Sequence, residues 1–306
     1  MNHEIRSEQF NEALEAMLAG RGAEAGEFQD LLQLAGQLRE LPNPAFKTRL
    51  RAEIERKTAM TATTLLREGF HTLTPFLMVR DGAALMDFLE RAFGAVTTHR
   101  TISPGGLHGE MRLGDSMLMI GGGADHPLST TAIHLYVADA DAVYRRAVAA
   151  GGKSLGAVED RPYGERSGFV EDPFGNHWYI GTPLRGATVP EGHTTANPYI
   201  HAKSARSLMA FLNQAFGAEE IACHEMDGRV MHAEVRIGDS ILEMGEAEMA
   251  ASAFYVYVDD PDATYRNALA AGATSLSEPA DQPWGERVAS FLDPFGNRWT
   301  PAKTIK

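Results

Sequence analysis

The fold is decided by a stretch of sequence that occurs twice, first as YGERSGFVEDPFGNHWYI from Tyr163 to Ile180. It returns as WGERVASFLDPFGNRWTP from Trp284 to Pro301. In both copies Asp-Pro-Phe-Gly-Asn is typical of a tight turn, because proline presets one backbone dihedral angle and glycine tolerates the next. The apolar residues after each turn predict a closing strand.

Three more blocks return in the same order, which indicates that one unit was duplicated within the chain. The repeated blocks are TPFLMVRDGAALMDFLERAFGA (74–95) with NPYIHAKSARSLMAFLNQAFGA (197–218), LHGEMRLGDSMLMI (107–120) with MHAEVRIGDSILEM (231–244), and IHLYVADADAVYRRAVAAGG (133–152) with FYVYVDDPDATYRNALAAGA (254–273).

Within each copy, the hydrophobic period changes in a fixed order. Residues 82–93 place Leu85, Phe88 and Leu89 on one face of a helix, and two strands joined by a turn at Gly114 follow. A second strand, helix, strand, strand unit starts near His134. Each copy is therefore predicted to be two consecutive β-α-β-β(-β) modules of an α+β fold.

These blocks resemble the glyoxalase/bleomycin-resistance/dioxygenase (vicinal oxygen chelate) superfamily. They are most similar to its phosphonate-cluster-B-like branch, which shows Ala-Phe-Gly-Ala, His-Ala-Glu, Gly-Asp-Ser and Asp-Pro-Phe-Gly-Asn in this order. The resemblance implies paired βαβββ modules whose eight strands curl around a cleft that holds a metal, a substrate or both. It predicts two tandem domains, at residues 68–185 and 192–303.

The segment before the repeat has a different pattern. Apolar stripes in residues 1–60 predict three short helices, with Pro44 well placed in a first turn. We interpret this helical segment as a cover for a sheet edge or a dimer surface, with a regulatory module as the alternative.

Composition limits the partners and the compartment. The chain has 28 basic and 41 acidic residues and a net charge of -13, which disfavours nucleic acid and anionic membranes as partners. Its single cysteine, Cys223, is expected in a reducing compartment, and neither a signal peptide nor a membrane-spanning stretch is recognisable. We therefore expect a cytoplasmic protein. Because two copies can pair within one chain, either a monomer or a homodimer is expected.

Two strands carry a histidine and a glutamate two residues apart, so that both side chains lie on one face. The pairs are His108 with Glu110 and His232 with Glu234. Such a pair could bind a divalent metal or act as a base and the group that orients it. The alternative is that these are solvated or salt-bridged side chains of an exposed sheet face.

The resemblance also implies where metal ligands would lie, on the first and last strands of paired modules. In the first copy the matching residues are Thr74, Met119, Ala132 or His134, and Tyr179; in the second they are Asn197, Glu243, Tyr255 and Thr300. Each copy thus offers one good ligand, where catalytic sites use about three. The usual metal quartet is expected to be missing. A zinc, nickel, manganese or iron ion at an off-pattern site remains open, with candidate ligands His108, Glu110, His134, His232, Glu234 and Glu243.

Two functions follow from these residues. The first is binding of a small organic molecule in a metal-free cleft. The second is a glyoxalase-class lyase or isomerase with an off-pattern metal site. The candidate ligand-binding residues are Phe76, His108, Glu110, His134, Tyr179, Tyr199, His232, Glu234 and Glu243. The repeated Gly-Glu-Arg either clamps an anionic ligand or fastens its loop.

Overall fold

Sixteen strands and four helices form within the part of the chain that the computed structural model describes, residues 66–123, 128–184, 189–247 and 251–305. The predicted N-terminal helices, residues 1–60, lie outside these ranges. The first copy contains β1 (Leu73–Val79), α1 (Gly82–Phe93), β2 (Val96–Ser103), β3 (Gly106–Leu113), β4 (Ser116–Gly122), β5 (Ala132–Tyr136), α2 (Ala140–Ala149), β6 (Lys153–Arg161), β7 (Glu165–Glu171) and β8 (His177–Pro183). The second copy contains β9 (Ala196–Ala202), α3 (Ala205–Phe216), β10 (Glu219–Met226), β11 (Arg229–Ile237), β12 (Ser240–Glu246), β13 (Ala253–Tyr257), α4 (Pro261–Ala270), β14 (Thr274–Asp281), β15 (Glu286–Leu292) and β16 (Arg298–Thr304).

Local sequence sets the helix ends. The Asp81 side chain accepts a hydrogen bond from the Ala84 amide at 3.0 Å and so caps the start of α1. Gly94 ends this helix in the left-handed conformation, with φ of 75°. In the second copy, Ser204 and Gly217 do the same for α3.

The strands form two eight-stranded mixed sheets, which confirms the predicted α+β fold of paired modules. The first sheet has the order β14-β15-β16-β13-β1-β4-β3-β2, and the second has the order β10-β11-β12-β9-β5-β8-β7-β6. Each sheet therefore joins one half of each copy. The joints are antiparallel, with Leu73 paired to Val256 in the first sheet and Ala132 paired to Tyr199 in the second.

The helix side of the sheets belongs mainly to one copy at a time. In the first copy, α1 and α2 pack on a core that contains Phe88, Leu118 and Trp178. In the second copy, α3 and α4 pack on the equivalent core, which contains Phe211 and Trp299. Both tryptophans are fully buried. The concave faces are thus left to be shared between the copies, within one compact unit, Thr63–Lys306.

The outer strands β2, β6, β10 and β14 are the optional third strands of the predicted modules. All eight residues of β2 are exposed, so no burial pattern marks this strand in the sequence. No helix in the described ranges is both long and apolar enough to cross a membrane.

Candidate functional site

Each sheet brings together positions from both copies at which the resemblance implies metal ligands. The second sheet brings His134 and Tyr179 of the first copy together with Asn197 and Glu243 of the second copy. The first sheet brings together Thr74, Met119, Tyr255 and Thr300. The two good ligand residues, one from each copy, therefore meet on one sheet, and the other sheet has neither.

The concave face of the second sheet holds a cleft of about 670 Å³, which we call the open cleft. Six of the nine predicted ligand-binding residues line it: His134, Tyr179, Tyr199, His232, Glu234 and Glu243. Tyr136, Tyr163, Gly164, Glu165, Phe169, Pro183, Pro190, His224 and Met231 complete the lining. The wall is thus aromatic and acidic, and no lysine or arginine is among its described lining residues.

His134 lies at the centre of the open cleft between two carboxylates. Its Nδ1 is 2.9 Å from Glu243 Oε2, and its Nε2 is 3.2 Å from Glu165 Oε1. Burial alone would lower the pKa of His134, but the charge of Glu243 and the hydrogen bonds to both glutamates outweigh it and raise the pKa to about 10. At neutral pH His134 is therefore an imidazolium that donates from both nitrogens.

Glu165 reaches His134 because a glycine lies beneath it. A Cβ atom at Gly181 on β8 would overlap the Glu165 carboxylate. At the equivalent position in the first sheet the chain has Ala302, and Glu286 there accepts hydrogen bonds from Tyr255, Tyr257 and Trp284 instead. The missing methyl group thus allows the carboxylate to lie across the strand.

Beside this cluster, His232 and Glu234 form the predicted pair, with His232 Nε2 at 3.0 Å from Glu234 Oε1. His193 packs against the same carboxylates, and its side chain is only 1% exposed. Its Nε2 is 3.5 Å from Glu243 Oε1 and 3.9 Å from Glu234 Oε1, without hydrogen-bond geometry. Neither ring nitrogen of His193 has a hydrogen-bond partner among the described residues, so a buried polar group is left unsatisfied.

Aromatic side chains form the other wall. Tyr179 and Tyr199 have ring centroids 5.2 Å apart, and the Tyr179 hydroxyl is 2.8 Å from His201 Nε2. Burial, with a smaller effect of His177, lowers the pKa of His201 to about 4. His201 is therefore neutral at physiological pH and shares a hydrogen bond with the Tyr179 hydroxyl through Nε2.

The remaining predicted residues, Phe76, His108 and Glu110, lie on the first sheet, in what we call the closed cleft. Arg67 enters this cleft and donates from Nη1 and Nη2 to the two oxygens of Glu110, both at 2.7 Å. Its guanidinium also lies over Phe70, 4.6 Å from the ring centroid. An apolar cluster then fills the space: Phe70, Met117, Met119, Tyr255, Tyr257, Val288 and Ala302, with Leu66 and Phe76 against it.

Glu110 forms a salt bridge with Arg67, which is the alternative that the sequence analysis gave to a metal-binding or base pair. Burial alone would raise its pKa, but hydrogen bonds from His108 and Arg67 and the charge of Arg67 lower the pKa to about 2. The first histidine-glutamate pair is thus satisfied by the chain itself, and the second pair faces the open cleft.

The arginines of the two Gly-Glu-Arg motifs fasten strands to helices. Arg166 donates to Asp141 at 2.6 Å and 2.9 Å and to Asp160 at 2.9 Å. Arg287 makes the same bonds with Asp262 and Asp281. This geometry agrees with the loop-fastening interpretation rather than with a clamp for an anion. The glutamates of these motifs, in contrast, turn into the clefts.

The donor set of the open cleft does not fit the metal site of the family. Within the described residues, no group of three or more His, Cys, Asp or Glu side chains is arranged to hold a metal ion. His134 has a carboxylate on each ring nitrogen, so a metal ion could bind this ring only by displacing Glu243 or Glu165 from it. Glu165 and Glu243 lie on opposite sides of this ring, so they do not converge on one point.

Sequence reasoning missed Tyr136, Glu165 and His193. Glu165 stood in a repeated block, but its glycine neighbour in space, Gly181, is distant in sequence. His193 could have been found by extending the repeat upstream of β9, where it aligns with Phe70. A histidine that replaces a core phenylalanine is a signal that the two copies differ in use.

Comparisons with known proteins agree with this architecture. The family model described as "Glyoxalase/Bleomycin resistance protein/Dioxygenase superfamily" matches residues 69–180 and 192–300. An uncharacterised protein of Mycobacterium bovis is 38% identical over 133 residues, which cover 39% of this chain and 88% of that protein. A Mycobacterium tuberculosis protein has the same identity over the same length and is covered to 78%.

Among solved structures, glyoxalase I from Zea mays superposes with a TM-score of 0.58 at 14% identity, covering 76% of this chain and 92% of that chain. At this identity the likeness shows the fold alone. Because the family model covers more than half of the sequence, in two tandem matches, the chain belongs to the glyoxalase/bleomycin resistance protein/dioxygenase superfamily.

Proposed function

We propose that this protein binds a small organic molecule in the open cleft, without the metal quartet of the metal-dependent glyoxalases. One observation carries the proposal. The open cleft has about 670 Å³ of space, whereas in the equivalent cleft on the other sheet Arg67 of the same chain lies on Glu110 beside a packed apolar cluster. Ligand pockets commonly have volumes of about 300–1,000 Å³ with aromatic walls and a few polar groups.

The test is a thermal-shift screen of small organic molecules, repeated with Tyr199→Ala and with its counterpart Phe76→Ala. A ligand that binds the folded protein raises Tm, because binding stabilises that state by mass action. Hits should lose their shift in Tyr199→Ala, which removes part of the open-cleft wall. They should keep it in Phe76→Ala, which changes the closed cleft. A screen without hits, or hits that ignore Tyr199→Ala, contradicts the proposal.

The alternative is a glyoxalase-class lyase or isomerase with an off-pattern metal site. It is favoured by His193, whose Nε2 has no hydrogen-bond partner in the described part of the chain and lies beside both Glu234 and Glu243. Elemental analysis of protein purified without chelator, with Tm measured in nickel, zinc, manganese and ferrous iron, separates the two. We expect no stoichiometric metal. A retained ion that is lost in His193→Phe, which restores the residue of the other copy, would support the enzyme.

We also propose that the chain belongs to the phosphonate-cluster-B-like branch, because its four repeated motifs occur in the same order as in that branch. Its charge of -13 and its single cysteine support a cytoplasmic protein with no nucleic-acid partner. The pairing of copies within one chain supports a monomer, with a homodimer as the alternative.

A further inference from the structure

The segments that lead into β1 and β9 are copies of each other. In the first, the Phe70 amide donates to the Arg67 carbonyl at 3.0 Å, and in the second the His193 amide donates to the Pro190 carbonyl at 3.2 Å. The third residue of both turns is a glycine with positive φ, 80° at Gly69 and 88° in the second turn. Such a φ at this position of a turn is typical of glycine, so the two backbones follow the same path.

The last residue of each turn occupies the same place in its cleft. Phe70 meets Tyr257 edge-on, with ring centroids 5.9 Å apart and an interplanar angle of 77°. His193 meets Tyr136 in the same way, at 5.8 Å and 89°. The two clefts are therefore comparable side chain by side chain at this point.

The first residue of the turn is what differs. Arg67 places a guanidinium on both oxygens of Glu110, whereas Pro190 has no group that could reach the matching Glu234. Glu234 keeps the bond to His232 at Oε1, and its Oε2 has no hydrogen-bond partner among the described residues. Its side chain is 17% exposed, compared with 5% for Glu110. Among the described residues, the open cleft thus has no counterpart of the Arg67 guanidinium of the closed cleft.

Charge around Glu234 points the same way. Glu243 and Glu165 also line the cleft, and the basic side chains among its described lining residues are the three histidines His134, His224 and His232. Arg236 lies two residues further along β11, beside the second turn, and is not part of the lining. His193, buried and unsatisfied next to Glu234, would gain a partner from a hydrogen-bonding group bound there.

We propose that the open cleft binds an organic cation, a guanidinium or an amine carried on an aromatic or apolar body, with its cationic group on Glu234 in the place that Arg67 takes on Glu110. This inference rests on the proposed function and names the ligand class for the same site. The body of the ligand lies against the aromatic wall of Tyr179 and Tyr199, since His193 already takes beside Tyr136 the place that Phe70 takes beside Tyr257. A cation over aromatic faces gains further attraction from the rings.

Four probes with one body test the charge: phenethylguanidinium, phenethylammonium, 3-phenylpropanamide and 3-phenylpropanoate, titrated into the full-length protein by calorimetry. The two cations should bind about tenfold or more tightly than the amide, because they form an ion pair with the Glu234 carboxylate, whereas the amide can donate only a hydrogen bond to it. The anion should bind most weakly.

Two variants locate the site. Glu234→Gln should weaken binding of the cations by about 10- to 100-fold and binding of the amide much less, since the charge is removed but a hydrogen-bond acceptor remains. Pro190→Arg should supply the missing guanidinium, close the open cleft and abolish binding of all probes while Tm rises or holds. Glu278→Gln, an exposed glutamate of β14, is the matched control for loss of one charge and should bind as wild type. If Pro190→Arg does not fold, the loss of cation binding in Glu234→Gln still tests the inference.

The outcomes separate this inference from the proposed function. Equal binding of amide and cations, or an unchanged Kd in Glu234→Gln, overturns the cation inference and leaves a ligand-binding cleft. If no probe binds but the screen finds ligands that depend on Tyr199, those ligands must be predominantly cations for the inference to stand; a neutral or anionic set overturns it. If neither probes nor screen give a ligand, it is the proposed function that fails.

Discussion

At the scale of single residues, His134 makes the stability of the folded protein depend on pH. Its pKa of about 10 lies above the ordinary histidine value because Glu243 and Glu165 hold the proton. A raised pKa in the folded state stabilises the protein fully below the unfolded value of about 6.5, and this contribution is lost as pH rises through the folded value. We therefore expect the free energy of unfolding to fall between about pH 7 and pH 10, by up to about 1.4 kcal/mol per pH unit from this residue. Urea unfolding at a series of pH values measures it, and a stability that rises across this window would contradict it.

The other copy shows how to remove this histidine without leaving a buried charge. His134→Tyr alone should cost about 3–5 kcal/mol, because Glu243 loses its partner in a buried place. The double variant with Glu243→Met copies Tyr255 and Met119 of the closed cleft, and it should recover most of the loss. It should also lose the fall in stability between pH 7 and pH 10. Equal stability of the single and double variants by urea unfolding would show that the pair is not coupled.

At the scale of elements, each Asp-Pro-Phe-Gly-Asn turn is held by its aspartate. Asp172 accepts from the amides of Phe174 and Asn176 at 2.9 Å, from Asn176 Nδ2 at 2.8 Å and from Trp178 Nε1 at 3.2 Å. Asp293 repeats all four bonds in the second copy. The aspartate thereby holds the following tryptophan, Trp178 or Trp299, in its buried position in the core.

Asp172→Ala should therefore lower the free energy of unfolding by about 3 kcal/mol or more, because several buried donors lose a charged acceptor. Asp293→Ala should have a matching effect. Asp160→Ala, at a largely exposed carboxylate paired with Arg166, is the control and should cost about 1 kcal/mol or less. Chemical denaturation of the three variants gives the comparison. A loss at Asp172 no larger than at Asp160 would mean that the turn forms without its aspartate.

Helices, turns and strand faces were the features that the sequence predicted best. The helix at residues 82–93, the strand turn at Gly114 and the faces of the His-x-Glu strands are local features, because they depend on residues within a few positions of each other. Pairing of β1 with β13 and of β5 with β9 could not be predicted, since those contacts join distant segments. For this reason the meeting of His134 with Glu243, one from each copy, stayed hidden until the sheets were known.

At the scale of the whole molecule, each sheet needs both copies, so a single copy has no complete sheet. A fragment of residues 66–184 would leave β1 and β5 without the neighbours that β13 and β9 provide. Two fragments can restore both joints if β1 of one pairs with β5 of the other, because β5 and β13 are equivalent. We expect a homodimer by light scattering, with two identical interfaces. A folded monomer of this fragment would contradict the exchange of modules between copies.

Such a dimer would also test why the two copies have diverged. Each of its clefts would combine His134 and Glu165 with Met119, Glu110 and the chain's own Arg67, so the His134–Glu243 pair would be absent and a guanidinium would already lie on the glutamate. We therefore expect the fragment to dimerise but not to bind the ligands or cationic probes of the full chain. A mixture of fragments 66–184 and 189–305 should restore binding, because it regains Glu243, Glu234 and Pro190. Binding by the homodimer alone would show that ligand recognition precedes the divergence of the copies, and Arg67 would then not be the reason that one cleft is closed.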